Sequence, residues 1–518
     1  MSRINLYRFF ETIPGILTWT TLILMFVFSW LAPIGAAIFI ILFDLYWLLK
    51  TIYLSICLRN SFLKMRKKMK INWLQVLMGN QSSDIKNLPT QQFTNYNNKN
   101  LPTIKSWQDI YHLIVLPMYK EPYSVIKESF ESLSKINYPK DKLIVVLVCE
   151  ERAGETTIEI AKKIKQDFND KFFKLITTTH PANIEGELPG KGSNQIWAVK
   201  EVKKSIIDPM AIPYENILIS VFDADTQISA DYFSILTHTF LTCPFPQHSS
   251  FQPIPLFINN IFQTPAFARV ISFSSTFWHM VQQSRQERLT TFSSHSMPFK
   301  ALVEVGFWNK DVVSEDSRIF WQCYLHYNGN WRVVPLFNSV SMDANVSTNF
   351  WKTMINQYKQ QRRWSWGCEN IPYFLSGFIK NKKIAFKKKL YWAFNTIESF
   401  HSWSTNALLI FALGWLPLFL GKGNFSSSMI SYNLPQITKF IMTLAMIGII
   451  TSAILNIILL PPKPAWFKKR HYILYFFQWI LMPITLIIFG AFPAIDAQTR
   501  LMLGGKFRLG FWFTPKHR

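Results

Sequence analysis

Cysteine is scarce in this sequence of 518 residues, and acidic side chains are outnumbered by basic ones. The five cysteines are scattered without C-x-x-C spacing, so neither a disulfide framework nor a zinc site is predicted. There are 31 acidic and 55 basic residues, which gives a net charge of +24 at pH 7. The basic residues cluster beside apolar runs at 64–68, 380–389 and 468–470. This placement argues against nucleic-acid binding and favours contact with anionic membrane lipids.

Long apolar runs are what the sequence has in excess. Hydrophobic residues make up 49% of the chain, and the mean hydropathy is positive. Apolar stretches of about membrane-spanning length occur at 16–32, 36–57, 405–420, 440–460 and 472–495. No small-x-small cleavage site follows the first stretch, so we expect an anchor and not a cleaved signal peptide. The sequence therefore predicts a multi-pass integral protein of the plasma or inner membrane.

The apolar runs divide the chain into six predicted segments. They are a transmembrane hairpin with a basic juxtamembrane segment (1–70), a linker (71–110), a cytoplasmic α/β domain (111–370), interfacial helices (371–403), C-terminal transmembrane helices (404–495) and a basic tail (496–518). Within this scheme, residues 80–104 are rich in Asn, Gln, Ser and Lys, which is typical of a linker or a surface loop.

The positive-inside rule sets the expected topology. Arg3, Arg8 and the basic residues of 59–70 predict a cytoplasmic N-terminus and a cytoplasmic domain. The basic residues of the tail predict that the C-terminus is also cytoplasmic. The chain must then cross the membrane an even number of times after the domain. Either a further span at 391–402 or a re-entrant turn near Pro483 would provide this number; an interfacial helix is the other interpretation of 391–402.

Strands and helices alternate through residues 111–226. Strands are predicted at 112–116, 143–148, 173–177 and 217–226, and helices at 125–136, 156–168 and 194–204. This alternation is typical of an α/β layer with a mostly parallel sheet, in which ligands bind beyond the carboxyl ends of the strands. Residues 118–121, 150–151 and 223–225 follow such ends, so we expect them to border one cleft.

Two acid pairs are candidates for chemistry. Asp223 and Asp225 follow a buried strand, and two carboxylates held at a strand tip predict a hard-oxygen site for Mg²⁺ or Mn²⁺. Glu315 and Asp316 precede a helix predicted at 317–326. An acid pair at a helix start is most often a cap, but a carboxylate held rigidly at a cleft can act as a general base.

Two further stretches offer groups for phosphate and sugar. Lys191 and the backbone amides of 189–194 precede a helix, which suits a phosphate although the spacing of a P-loop is missing. Gln360, Arg363 and Trp364 share one face of a predicted helix. Their amide, guanidinium and indole groups suit a diphosphate and a stacked sugar ring, and a membrane-interface anchor is the alternative.

The order Asp-x-Asp, Glu-Asp and Gln-x-x-Arg-Trp between apolar runs resembles the membrane-embedded family 2 glycosyltransferases, which include cellulose, hyaluronan and chitin synthases. The resemblance covers about residues 111–364 and the layout of the spans. It implies a GT-A-like, mostly parallel sheet domain between N-terminal and C-terminal transmembrane helices. It also implies Mg²⁺ or Mn²⁺, a UDP-sugar donor, a glycan or lipid acceptor, and the possibility of an export subunit.

The resemblance also implies roles for individual residues. Positions that correspond to the family's nucleotide-binding residues are Pro117, Tyr119, Glu121, Glu150, Lys191, Asn194, Asp223, Gln360, Arg363 and Trp364. Asp223 and Asp225 correspond to its metal-binding pair, and Asp316, with Glu315 before it, corresponds to its catalytic base. Glu150 or Glu151 stands where Asp is usual, and the family's acceptor-binding stretch is here 292–296, with a different sequence.

These correspondences predict an inverting transfer from a UDP-sugar, such as UDP-glucose or UDP-GlcNAc, to a growing β-linked polysaccharide. The Gln-x-x-Arg-Trp motif favours a polymer, because processive members of the family carry it. The alternatives are non-processive transfer to a lipid carrier or a membrane lipid, a non-catalytic scaffold subunit, and a transporter without chemistry.

Overall fold

The computed structural model describes residues 3–79, 104–421, 423–510 and 512–515, so nearly all of the predicted linker at 80–104 lies outside the described residues. The chain forms two compact units. A helical unit comprises Met1–Arg59, Ile261–Phe277 and Val346–Leu509, and a sheet unit comprises Asn60–Asn260, Trp278–Asn345 and Gly510–Arg518. The Gln-x-x-Arg-Trp segment, which the sequence division grouped with the α/β domain, belongs to the helical unit.

One eight-stranded sheet forms the centre of the sheet unit. Its strands are β1 (Tyr111–Pro117), β2 (Leu143–Glu150), β3 (Lys174–His180), β4 (Ile217–Val221), β5 (Gln227–Ile228), β6 (Ser249–Phe257), β7 (Ser296–Pro298) and β8 (Arg332–Met342). Their order across the sheet is β3-β2-β1-β4-β7-β6-β8-β5. The first four strands are mutually parallel, whereas β7 runs antiparallel to both of its neighbours and β5 antiparallel to β8. The α/β fold class is confirmed, with a sheet that is mixed beyond β4.

Two of the parallel strands, β2 and β4, are buried along their whole length, because helices cover both faces of such a sheet. Every residue of β2 is buried, and so is every residue of β4. Strand β4 ends at Val221, earlier than the predicted Thr226. The backbone turns there, and the Thr226 N–H donates to the Asp223 carbonyl over 2.9 Å. Asp223 and Asp225 therefore stand on a tight turn beyond the strand and not within it.

Seven helices lie wholly in the described part of the sheet unit. They are α3 (Trp73–Leu77), α4 (Tyr123–Ser134), α5 (Glu155–Phe168), α6 (Lys191–Val202), α7 (Tyr232–Thr242), α9 (Phe299–Glu304) and α10 (Glu315–His326). Each of α4 and α5 buries one apolar face, formed in α4 by Val125, Ile126, Phe130 and Leu133. The helices predicted at 125–136, 156–168 and 194–204 are confirmed with ends that differ by a few residues.

The remaining helices are wholly or partly in the helical unit. They are α1 (Arg3–Leu31), α2 (Pro33–Lys68), α8 (Ala266–Gln283), α11 (Phe350–Ser365), α12 (Asn370–Lys380), α13 (Phe386–Leu413), α14 (Leu416–Leu420), α15 (Met429–Ile458), α16 (Lys469–Phe477), α17 (Met482–Leu486) and α18 (Phe492–Leu503). Four helical runs in the described ranges are long and apolar enough to cross a membrane: Leu6–Leu31, Pro33–Lys68, Met429–Ile458 and Lys469–Leu503.

The structure revises two expectations about the C-terminal spans. The apolar run at 405–420 is not one helix, because a turn at Gly414 and Trp415 separates α13 from α14. Residues 469–503 are helical throughout, so the prediction of a re-entrant turn near Pro483 is wrong. The stretch 391–402, the alternative site of a further span, lies inside α13.

Buried polar side chains join the helices of this unit. The Thr18 hydroxyl donates to the Gln498 side-chain carbonyl over 2.8 Å and lies 2.8 Å from the Ser404 hydroxyl. The Gln498 amide donates in turn to the Phe400 carbonyl over 2.8 Å. In apolar surroundings a polar group costs free energy unless it is hydrogen-bonded, so this network fixes the mutual placement of α1, α13 and α18.

Candidate active site

The carboxyl ends of β2, β1 and β4 meet at one edge of the sheet, because the three strands are neighbours and parallel. Pro117 ends β1 and leads into the loop that holds Tyr119 and Glu121. Glu150 ends β2, and the Asp223–Asp225 turn follows β4. The structure thus brings these predicted residues to a single edge, where ligands of open α/β sheets bind.

Lys191 brings two predicted parts of the site together. Its ammonium nitrogen lies 2.8 Å from Asp223 Oδ1 and 3.1 Å from both carboxylate oxygens of Asp316. Glu315 Oε1 is 3.8 Å away. Lys191 is the first residue of α6, and Glu315 and Asp316 are the first two of α10. A Cβ atom at Gly192 would lie 3.4 Å from Glu315 Cβ, so the two helix starts pack closely and set these distances.

The charges of this cluster stabilise one another. Burial alone lowers the pKa of the Lys191 ammonium, but the carboxylates of Asp223, Asp316 and Glu315 outweigh it and raise this pKa above its usual range. Lys191 therefore stays protonated at neutral pH. One cation faces three carboxylates, which leaves the cluster with surplus negative charge.

Residues 291–296, which include the stretch that corresponds to the family's acceptor-binding residues, border the same carboxylates. The Ser293 hydroxyl donates to Asp223 Oδ2 over 2.9 Å, and the Thr291 hydroxyl donates to the Asp316 backbone carbonyl over 2.6 Å. His295 Nδ1 lies 2.9 Å from the Phe292 carbonyl and 3.9 Å from Asp316 Oδ1. Burial lowers the pKa of His295 although Asp316 acts in the opposite direction, so the ring is neutral at pH 7 and its Nδ1–H can donate to the carbonyl.

The two acids of the Asp-x-Asp turn differ in accessibility. The Asp223 side chain is 31% exposed, whereas Asp225 is fully buried. Asp225 Oδ2 accepts the Asp343 backbone N–H over 2.9 Å, and its backbone carbonyl accepts from the Asn259 amide over 3.0 Å. Asp225 thus anchors the turn, and Asp223 presents a carboxylate to the edge of the sheet.

The carboxylates at this edge of the sheet fit a divalent ion that takes most of its ligands from water and substrate phosphates. Within the described ranges, no group of three or more His, Cys, Asp or Glu side chains is placed to hold a metal. Mg²⁺ is commonly bound by one or two carboxylates together with water and substrate phosphates. The accessible carboxylate of Asp223 beside a surplus of negative charge suits that mode of binding.

Tyr119 and Glu150 stand at the ends of the next two strands. The Glu121 carboxylate accepts the Tyr119 N–H over 2.7 Å, and the Thr157 hydroxyl donates to the Tyr119 carbonyl over 2.8 Å. Glu150 forms an ion pair with Arg152, whose guanidinium carbon lies 4.7 Å from the centroid of the Tyr119 ring. Arg152 was not among the predicted site residues.

Two other observations concern the predicted nucleotide-binding residues and their surroundings. Asn194 is buried, and its amide donates to the Val148 carbonyl over 3.4 Å, so it joins α6 to the end of β2. Its place at the diphosphate stays a prediction.

The ring of Phe513, near the C-terminus, lies edge-on to Tyr119 with the ring centroids 5.2 Å apart. No motif in the sequence pointed to this contact.

Gln360, Arg363 and Trp364 lie on α11 in the helical unit. The helix is fixed there by Arg362, whose Nη1 lies 2.8 Å from Asp496 Oδ2 on α18. The Arg500 Nε lies 2.5 Å from the other oxygen of Asp496. The predicted helix over this motif is confirmed, and the contacts of the motif with diphosphate and acceptor remain predictions.

Comparisons with known structures give likenesses of low identity. A mannosyltransferase from Pyrobaculum calidifontis, PcManGT in complex with GDP-Man and Mn²⁺, is 14% identical with a TM-score of 0.39, covering 79% of this chain and 97% of that one. Residues 1–349 of S. aureus TarS are 14% identical with a TM-score of 0.34, covering 67% of this chain and 90% of that one. The same TarS fragment in complex with UDP-GlcNAc is 13% identical with a TM-score of 0.30, covering 64% and 92%. Similarity at this level identifies neither donor nor acceptor.

The family is shown by the sequence itself. No curated protein matches the chain. The model of the glycosyl transferase family group 2, in contrast, matches residues 218–492, which is more than half of the 518 residues. The matched region contains Asp223, Asp225 and Asp316, together with the Gln-x-x-Arg-Trp motif. The chain is a family 2 glycosyltransferase.

Proposed function

We propose that the protein transfers a sugar with inversion from a UDP-sugar to a growing β-linked polysaccharide at the membrane. One observation carries the proposal. Asp223, predicted to bind the donor's diphosphate through a metal, and Asp316, predicted to be the base, both lie within about 3 Å of one lysine nitrogen. A donor bound at Asp223 would therefore have its sugar next to a carboxylate able to accept a proton.

Asp316 is the general base of this mechanism. It accepts the proton of an acceptor hydroxyl, whose oxygen attacks the anomeric carbon from the face opposite the diphosphate. As the new carbon–oxygen bond forms, the bond between the anomeric carbon and the diphosphate oxygen breaks, and an α-linked donor yields a β-glycoside. The carboxylate is partly exposed and is fixed at the first turn of α10, so it can reach a bound acceptor without reorganisation.

Lys191 and the start of α6 stabilise the leaving diphosphate. An ammonium group and the backbone N–H groups of a helix N-terminus attract negative charge as it develops. Asp223, on the turn that the buried Asp225 anchors, would hold a bound Mg²⁺ or Mn²⁺, and this ion would neutralise phosphate charge. The Ser293 hydroxyl orients the Asp223 carboxylate for this role.

Four apolar helices among the described residues support the following membrane arrangement. Two precede the catalytic residues and two follow them, which gives the even number of crossings that the basic tail requires. We place the catalytic residues and both termini in the cytoplasm, where nucleotide sugars are available. An export subunit would be an additional partner.

The test uses purified protein in lipid with Mg²⁺ or Mn²⁺ and a panel of labelled nucleotide sugars. Nucleotide release and product size are measured together. A long, glycosidase-sensitive product from one UDP-sugar would establish the proposed polymerase. Short or lipid-extractable product would indicate transfer to a lipid, and the absence of turnover by folded protein with every donor would favour a scaffold.

A further inference from the structure

The geometry of the sheet edge locates the base of a bound nucleotide. The carboxyl ends of β4, β1 and β2 lie side by side in that order. Neighbouring strands are about 4.8 Å apart, so the end of β2 lies roughly 10 Å from the end of β4. A ribose joins a diphosphate to its base over a distance of this order. With the diphosphate at Asp223, a placement that rests on the function proposed above, the base lies at the end of β2, beside Glu150.

Arg152, and not Glu150, is the accessible group at that end. The Glu150 side chain is only 5% exposed, whereas 34% of the Arg152 side chain is exposed. Arg152 donates its Nε–H to the Glu150 carboxylate and so covers this acid. The guanidinium carries four further N–H donors on its two Nη atoms. A ligand arriving at the end of β2 therefore meets hydrogen-bond donors.

The guanidinium is held in place by its surroundings. Arg152 sits in the short turn Glu151–Ala153, whose Glu151 carboxylate accepts the Ala182 N–H over 2.8 Å. Gly154 ends the turn with a φ of 91°, a conformation that favours glycine. On another side the guanidinium lies over the Tyr119 ring, a cation–π contact. Donors fixed in this way lose little entropy when a ligand binds.

We propose that Arg152 is the residue that selects the donor's nucleobase, by donating N–H groups to a keto oxygen of that base. Glu150 is a positioning residue that orients the guanidinium. Uracil has two keto oxygens, and guanine and cytosine have one each, whereas adenine has none. The site therefore accepts a uridine, guanosine or cytidine diphosphate sugar and rejects an adenosine diphosphate sugar.

The test measures binding of UDP, GDP, CDP and ADP to the full-length protein in lipid with Mn²⁺, by titration calorimetry. We expect UDP, GDP and CDP each to bind at least about tenfold more tightly than ADP, because a hydrogen bond from a charged donor is lost with adenine. Arg152→Ala should bring this ratio close to one. Arg152→Lys should retain part of it, because an ammonium donates but lacks the planar fork. An unchanged ratio in Arg152→Ala overturns the proposal.

Two controls separate base selection from other effects. Arg152→Ala leaves a buried carboxylate without its cation, so the double variant Glu150→Gln/Arg152→Ala removes that charge as well. If Arg152 selects the base, the double variant should also fail to discriminate between keto-bearing bases and adenine. Restored discrimination in the double variant would overturn the proposal. Lys120 also lies over the Tyr119 ring, with its nitrogen 5.2 Å from the centroid, so Lys120→Ala is the matched control.

The outcomes also distinguish this inference from the proposed function. Discrimination that survives in Lys120→Ala and disappears in Arg152→Ala supports base selection by Arg152, and an equal loss in both variants overturns it. If the wild-type protein binds a nucleoside diphosphate but does not prefer keto-bearing bases, only the role of Arg152 fails. If the folded wild-type protein binds none of the four, the proposed function fails together with it.

Discussion

Two clusters of charged side chains, one in each unit, have opposite composition. In the sheet unit, one cation, Lys191, lies among three carboxylates. In the helical unit, one carboxylate, Asp496, lies between the guanidinium groups of Arg362 and Arg500. The first cluster keeps a surplus of negative charge and the second a surplus of positive charge.

We interpret this difference in charge as a difference in role: the Lys191 cluster belongs to the proposed donor site, and the Asp496 cluster holds helices together. A partly exposed surplus of negative charge raises the local concentration of cations, which is what a metal-dependent diphosphate site needs. The Asp496 cluster joins two helices by charge-assisted hydrogen bonds, and its members are not the predicted motif residues. We therefore expect substitutions in the first cluster to change catalysis and metal binding, and substitutions in the second to change stability.

The largest expected effect is that of Asp316→Asn. The amide keeps the shape of the side chain but cannot accept the proton, so kcat should fall by about 10²- to 10⁴-fold. Initial rates of sugar transfer measure this change, and calorimetry should show that donor binding is retained. Asp311→Asn is the matched control, because Asp311 is an exposed acid on the segment before α10. Near-normal turnover of Asp316→Asn would remove this residue from the mechanism.

Lys191→Ala should act on two properties in opposite directions. Removal of the cation lowers kcat by about 10²-fold, because the leaving diphosphate loses a preorganised donor. It also leaves three carboxylates without their cation, so Mn²⁺ should bind more tightly to the donor-free protein. Mn²⁺ titration and initial rates are measured on the same samples, and Lys191→Arg keeps the charge as a control. Unchanged Mn²⁺ affinity would contradict the idea that surplus charge defines this site.

Asp496→Asn should affect stability and leave the sheet unit's chemistry intact. The two guanidinium groups lose their shared carboxylate, and a lost charge-assisted hydrogen bond of this kind costs about 1–3 kcal/mol. The midpoint of thermal unfolding in lipid should fall by several degrees, while the affinity of the donor-free protein for Mn²⁺ stays unchanged. Asp208→Asn is the control, because its exposed ion pair with Lys203 contributes little. An equal shift in both variants would show that the Asp496 cluster is no stronger than a surface pair.

The smallest expected effect is that of Ser293→Ala. One neutral hydrogen bond to Asp223 is lost, worth about 0.5–1.5 kcal/mol, so Mn²⁺ affinity in the presence of UDP should weaken by only about two- to tenfold. Calorimetric titration of Mn²⁺ measures this change. Ser205→Ala, at an exposed position where the hydroxyl bonds to the Glu201 carbonyl, should have no effect. A loss as large as that of Asp223→Asn would make Ser293 a metal ligand in its own right.

The sequence predicted the elements that have a strong local signal. The strands β1, β2 and β4 are apolar runs bounded by turn residues, and each was predicted with ends that differ by at most five residues from those observed. The motif on α11 shows helical spacing and is helical in the structure. Motif order was enough to predict roles for Asp223 and Asp316, and the structure brings both acids to Lys191. Their roles stay predictions.

The remaining features depend on contacts between distant parts of the chain. Lys191 and Asp316 are separated by 125 positions, and Ser293 and Asp223 by 70, and no periodicity links them. The antiparallel strand β7 has three residues, too few for a pattern, yet it places residues 291–296 beside β4. Arg152 was not predicted because the role that we propose for it depends on its ion pair with the buried Glu150, which only the packing reveals.

Gly192 has a consequence for protein engineering. An alanine side chain at this position would make an ordinary van der Waals contact with Glu315, since a Cβ would lie 3.4 Å from Glu315 Cβ. In a series of Ala, Ser and Val at position 192, we therefore expect Ala to be accommodated and the bulkier Val to displace Glu315 and Asp316 from Lys191. Turnover measured along that series would give a calibration of rate against this displacement, with every charged group still present.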